Sequence, residues 1–253
     1  MKKLILIIIA LSFVSVCFAV SIQDMHKAVI ARKNVAGGAD YTENHTDTFS
    51  DSAGPPTGWT ELTSSWTDNG STLQRDVWNN NEYIIYSANQ LSSVDHYVCI
   101  KIADFGALGT DNPGVVMRLN DLTPAAEEYY YIIRDSGDSN TLEFRACENY
   151  VASCETFHSE AFADLTDGQT ICGAVEGTGA STIFYFWEDP LNGTIPPTKS
   201  DATYTINSGN WDGAPNTVGD NVWSDTGQYV GVANMVGDGG ASTILDDFST
   251  GVD

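Results

Sequence analysis

Apolar and polar residues alternate with a period of two along most of this chain, and the strand-like segments follow one another without a helical stretch of useful length between them. In Tyr97-Val98-Cys99-Ile100-Lys101-Ile102, one face collects Val98, Ile100 and Ile102 while the other collects Tyr97, Cys99 and Lys101, the pattern of a half-buried strand. Residues 115–119, 129–134, 141–147, 170–176, 182–187 and 229–234 read the same way. Turn markers separate them: Asp111-Asn112-Pro113-Gly114, Asp135-Ser136-Gly137-Asp138 and Gly177-Thr178-Gly179. Two acidic-aromatic segments bracket the series, Asp47-Thr48-Phe49-Ser50 and Leu245-Asp246-Asp247-Phe248-Ser249. If they pair with each other, the sheet closes and neither end leaves an open edge. The pattern predicts an all-β domain, an antiparallel two-sheet sandwich with paired first and last strands, over residues 46–251.

The order of the pieces adds a family likeness. An opening D-x-F is followed by Trp59 and Trp66, then Gly114-Val115-Val116-Met117-Arg118 and Tyr130-Tyr131-Ile132-Ile133-Arg134. Leu142-Glu143-Phe144-Arg145, Gln169-Thr170-Ile171-Cys172-Gly173-Ala174-Val175-Glu176-Gly177 and Thr182-Ile183-Phe184-Tyr185-Phe186-Trp187 come next, before Gly231-Val232-Ala233 and the closing Leu245-Asp246-Asp247-Phe248. In this order the chain resembles the concanavalin A-like lectin/glucanase superfamily, in particular laminin G-like jelly-roll domains of secreted bacterial proteins. The resemblance implies a jelly roll. It departs from such domains in the long stretch 190–222 and at Trp187-Glu188-Asp189-Pro190, where they often turn with Asn-Gly or Asp-Gly.

The start of the chain reads as a secretory signal peptide over residues 1–21: Lys2 and Lys3, an apolar run from Leu4 to Ala19, and small residues for cleavage. Residues 22–45 read as a linker or docking arm, carrying Lys27, Arg32 and Lys33, that could lie on the acidic domain of its own or a neighbouring copy. The implied location is secreted, extracellular or periplasmic. Once Lys2 and Lys3 are removed, nine of the 11 Lys and Arg remain against 34 Asp and Glu, a net charge near −25. Such a field repels phosphate backbones and anionic lipid, which makes nucleic acid and membrane surfaces poor partners. Clustered carboxylates are also hard oxygen ligands of the kind calcium takes.

Beyond Cys17, in the leader, the chain holds Cys99, Cys147, Cys154 and Cys172, an even number suited to an oxidising compartment. Three pairings are open. Cys147 and Cys154 are separated by a hairpin length, which favours Cys147 with Cys154 and leaves Cys99 with Cys172 as a cross-strand staple. Both Cys99 and Cys172 fall on the strand face opposite the core.

No catalytic signature stands out. A glycosidase needs paired carboxylates, yet the E-x-D-x-x-E string of the glucanase branch is missing, as is the Gln-x-His of jelly-roll lyases. His26, His45, His96 and His158 have no partner at metal-ligand spacing. A binding role has more support, because sugar rings stack their C–H faces on aromatic rings while their hydroxyls take planar polar partners. On residues 184–187, Tyr185 and Trp187 share one face and Phe184 and Phe186 the other; with the phenylalanines inside, Tyr185 and Trp187 form an exposed pair. Arg118 with Asn120, and Tyr130 with Arg134, supply polar groups for the same concave sheet, and Trp223 lies in the long late loop. The resemblance also implies one structural calcium ion near the meeting of first and last strands, with Asp47 and Asp247 as its ligands. These features predict a secreted, noncatalytic carbohydrate-binding or recognition domain with a glycan or polysaccharide partner. Two alternatives remain, a structural subunit or adhesin that self-assembles through its arm and a glycoside hydrolase or polysaccharide lyase of the same fold.

Overall fold

Aromatic and β-branched residues at alternate positions build two packed antiparallel sheets. The structure, a computed structural model, describes residues 41–51, 54–62, 66–75, 82–104, 111–122, 128–135, 141–148, 153–162, 165–190, 195–212, 224–236 and 244–253. The described strands are β1 (Thr42–Asp47), β2 (Trp59–Glu61), β3 (Trp66–Asp68), β4 (Leu73–Arg75), β5 (Glu82–Tyr86), β6 (His96–Asp104), β7 (Asp111–Leu119), β8 (Glu128–Asp135), β9 (Thr141–Glu148), β10 (Ser153–Ala161), β11 (Thr170–Glu176), β12 (Ile183–Glu188), β13 (Tyr204–Ile206), β14 (Tyr229–Val236) and β15 (Ile244–Val252). The first sheet runs β13-β12-β11-β6-β15-β4-β3, with β1 also on β15, and the second runs β10-β9-β8-β7-β14-β5-β2. Val98, Ile100 and Ile102 of β6 meet Val115, Met117, Ile132 and Phe144 of the second sheet in one buried core. The alternation read from the sequence therefore assigns the inner faces of both sheets.

The two ends do pair. Asp47 lies opposite Phe248 and Thr42 opposite Val252. Trp59 fills the corner they make, with its ring 4.7 Å from Phe248 and 5.6 Å from Phe49. Asp47 fixes that corner by accepting the indole N–H of Trp59 and the backbone N–H of Phe49, each at 2.8 Å. Because β1 opens at Thr42 and Tyr41 is buried, the sandwich takes in residues that the sequence reading gave to the arm. Residues 1–40, which hold the expected signal peptide and most of the expected arm, lie outside the described residues.

Strict alternation fails where the register shifts, as between Thr156 and His158 in β10, and most clearly at two left-handed residues. The backbone turns left-handed at Arg118 (φ 52°) and Asp247 (φ 45°), a conformation non-glycine residues seldom hold. As a result Val116 and Leu119 share the outer face of the second sheet, while Leu245 and Phe248 share the core, each pair at a spacing of three. A further correction concerns 111–114, expected as a turn. It is the opening of β7, where Pro113 pairs with Asn234.

Both disulfides link residues in direct cross-strand register, Cys99 with Cys172 and Cys147 with Cys154. The first is outside the inter-sheet core as expected, yet buried beneath Tyr41 and Trp187 on the outer side of the first sheet. The bridges span 73 and 7 residues. Chain-entropy bookkeeping then predicts that replacing Cys99 and Cys172 with Ala lowers the unfolding free energy by about 4 kcal/mol, against about 2 for the Cys147 and Cys154 pair. Urea unfolding of the two double variants checks the order.

Candidate functional site

The predicted aromatic pair is not exposed. Tyr185 and Trp187 do stack, 5.8 Å apart, but Trp187 is 1 % accessible, and its indole N–H donates to the carbonyl of Thr198 at 2.9 Å. Ile195 and Ala202, in the segment that follows β12, pack on the same cluster. This face of the first sheet is thus a second small core, closed by Lys199, whose ammonium lies 4.9 Å from the Tyr41 ring centre and pairs with Glu176 and Asp253. Tyr41 also donates to Glu176 at 2.7 Å, and burial pushes its phenol far above the ordinary range.

Arg118, Asn120 and Tyr130 are brought near one another, but as a buried joint rather than a groove. The guanidinium of Arg118 is fully enclosed; it donates to Val94 O at 2.9 Å, Asp95 at 2.9 Å and Gly177 O at 2.6 Å, and faces Asp225 at 3.6 Å. Its carbonyl accepts the Ser224 hydroxyl, which also reaches Glu128 O, while Asn120 accepts the Glu128 N–H at 2.8 Å. A Cβ on Gly227 would stand 1.9 Å from the same Arg118 oxygen, so only glycine lets the two chains approach. Tyr130 is 1 % accessible and belongs to the main core, with burial raising its phenol. The left-handed turn at Arg118 is what swings this side chain into the seam between sheets. Arg134 takes part in β8 opposite Leu142, and its side chain, like the whole of Trp223, lies outside what the structure describes.

His96 sits in the same joint, fully buried, with Nε2 accepting the Arg118 backbone N–H at 3.2 Å and Nδ1 3.4 Å from Ser93 O. Burial first, and the adjacent guanidinium second, lower its pKa to about 3. A neutral ring with its proton on Nδ1 suits both neighbours; a second proton on Nε2 would face another N–H.

The residues chosen for calcium do not fit it. Both oxygens of Asp47 are taken by protein N–H groups. Asp247 turns onto the Lys101 ammonium at 3.1 Å, and Asp246 reaches the same ammonium at 3.1 Å, because the irregular register between Asp246 and Ser249 lets consecutive residues point the same way. These hydrogen bonds raise the Lys101 pKa, that to Asp246 foremost. A lysine nitrogen lies where the divalent ion was expected. Among the described residues no group of three or more His, Cys, Asp or Glu side chains could hold a metal.

Another arrangement emerges on the outer face of the second sheet. Tyr83 of β5 and Tyr129 and Tyr131 of β8 form a floor, with ring centres 5.6 and 5.7 Å apart. Tyr131 passes over Gly114, where a Cβ would stand 2.4 Å from its ring. Across the sheet, Tyr131 is opposite Arg145, and Arg145 is opposite Thr156. Arg145 donates through Nε to Glu143 at 2.6 Å, and Thr156 donates to the same carboxylate oxygen at 3.1 Å. The tyrosines are buried, whereas Arg145 and Glu143 keep 18 % and 17 % of their side chains accessible and Thr156 is exposed. The sequence carried the signal in Tyr129-Tyr130-Tyr131 and Glu143-Phe144-Arg145, whose odd positions oppose the core residues Tyr130 and Phe144.

No family profile matches the sequence, and no curated protein sequence matches it. Solved structures do share its fold. The carbohydrate recognition domain of Emp46p (a Y131F mutant) is 6 % identical with a TM-score of 0.51, covering 85 % of this chain and 100 % of that one. A structure from work on endo-acting O-glycanases that human gut microbiota express to initiate mucin breakdown is 11 % identical with a TM-score of 0.50, covering 84 % and 100 %. What these structures share with the chain is the fold, a two-sheet antiparallel β-sandwich.

Two outcomes follow. His96 has a folded pKa below its unfolded value near 6.5, so its contribution is complete above that pH and is lost as pH falls toward 3. The urea midpoint should fall from pH 7 to pH 4, and His96→Gln should flatten that slope. Because the Lys101 ammonium already pairs with both Asp246 and Asp247, Asp247→Asn should change the response of the thermal midpoint to millimolar calcium by less than about 1 °C, read by differential scanning calorimetry.

Proposed function

We propose that this chain is an exported, noncatalytic carbohydrate-recognition domain whose ligand lies along the β8–β10 end of the second sheet. The observation that carries this reading is the row formed by Tyr131, Arg145, Glu143 and Thr156. A sugar hydroxyl needs donors and acceptors held in fixed geometry, and Arg145 with Glu143 offers both in one hydrogen-bonded unit. The buried tyrosine floor holds the row in place, so little side-chain freedom is lost when a ligand arrives. The Emp46p domain, a carbohydrate recognition domain by name, lends support through its shared fold. Export is supported by the leader-like start and by two cross-strand disulfides, which suit an oxidising compartment.

A hydrolytic reading has its own support in the O-glycanase neighbour. Against it, Glu143 is tied to Arg145 and Thr156 instead of facing a second carboxylate across a sugar-sized gap. Release of reducing ends from a bound polysaccharide would favour the hydrolase.

On a glycan array, Arg145→Met should weaken the response at least tenfold, about 1.4 kcal/mol or more, with little change in thermal midpoint. Tyr185→Ala, on the other sheet, should leave binding intact. The reverse pattern would return the site to β12.

A further inference from the structure

The four basic residues whose side chains are described, Lys101, Arg118, Arg145 and Lys199, are each held by carboxylates of the same chain. Among the described side chains, Lys101 pairs with Asp246 and Asp247 at 3.1 Å each, and Lys199 with Glu176 at 2.5 Å and Asp253 at 3.0 Å. Arg118 is enclosed between Asp95 and Asp225. Arg145, at the row described above, gives its Nε and an Nη to Glu143. Lys and Arg number 11 against 34 Asp and Glu, so carboxylates outnumber cations about threefold and the field of the chain is negative.

We infer that the ligand of the β8–β10 row is an uncharged glycan, built of neutral hexoses, pentoses or N-acetylated sugars, and that Glu143 is the residue which excludes uronate, sulfated and sialylated chains. The inference rests on the glycan reading and narrows it to a substrate class. A carboxylate or sulfate brought to Arg145 meets Glu143 at nearly the same distance, so attraction and repulsion cancel locally. Beyond the first contacts it meets the field of a chain with a net charge of −23, which extends about 10 Å at 0.1 M salt. Neutral hydroxyls face neither penalty. They can donate to Glu143 or to the Thr156 oxygen and accept from Arg145 without separating the ion pair. The floor beneath is compatible with this, since its buried tyrosines bring no charge to the row.

The test uses the full exported chain against immobilised neutral polysaccharides (β-glucan, galactomannan, xylan) and anionic ones (alginate, hyaluronan, sulfated galactan), read by biolayer interferometry. The expected result is binding to at least one neutral chain, with every anionic chain about tenfold weaker or more and gaining as salt screens the protein field. Glu143→Gln should then raise the anionic-to-neutral ratio at least about fivefold, because the amide keeps the shape and frees the guanidinium charge. A matching thermal midpoint certifies that this variant is folded; if it is not, Glu143→Ser replaces it in the same comparison. Tighter binding of an anionic chain by the natural sequence overturns the inference while leaving glycan recognition standing, as does a ratio that Glu143→Gln fails to move. Silence across the whole panel overturns glycan recognition itself, and the inference with it.

Discussion

Everything in this sandwich is arranged around the corner where the chain closes on itself. Asp47 presents one carboxylate to two donors, the Trp59 indole and the Phe49 amide. That pair of bonds sets the indole edge-on to Phe248 of the last strand, with Tyr86 of the second sheet completing the ring contacts at 5.5 and 5.6 Å. A charged group at the rim of a core is tolerable because both its oxygens have partners. Without that corner, β1 and β15 would present unpaired backbone to water and the two layers would lack their common aromatic wedge. The Arg118 joint ties the layers again through β6, β7, the turn after β11 and the segment before β14.

Much of this architecture is legible in the sequence, because period-two patterning and the matching acidic-aromatic ends are local signals. Val98, Ile100 and Ile102 were assignable to the core from their spacing alone, while the hairpin length between Cys147 and Cys154 favoured, among three open pairings, the one that the structure has. What escaped was whatever depends on a single backbone torsion or on a distant segment. Positive φ at Arg118 and Asp247 reverses the side on which the next residues fall, and Arg gives no hint of such a turn while Asp gives only a weak one. Trp187 follows the expected alternation and is still hidden, since residues 195–202 supply a cover that no local pattern foretells. Tyr185 and Trp187 were thus right in face but not in exposure, whereas Tyr130 lies in the main core and Arg118 in the joint between the layers.

The same separation explains why function was harder to read than fold. Aromatic residues that resemble a ligand platform on paper are, in three dimensions, the material of a second small core on one sheet and of a tyrosine floor on the other. Ion pairs follow a similar logic. The basic side chains that the structure describes all serve internal order: a loop anchor at Lys199, a layer joint at Arg118, a seam at Lys101 and a fixed polar row at Arg145. Each of these sites reads as chemistry until its partners are known.

The placement of the disulfides has a mechanical corollary. One bridge lies wholly within the first layer and the other wholly within the second, so among the described residues no covalent cross-link runs from layer to layer. Under pulling force or partial denaturation, each ribbon would hold its own weave while the plane between them shears first. A domain built this way yields by delamination, with toughness inside each leaf and compliance between the two.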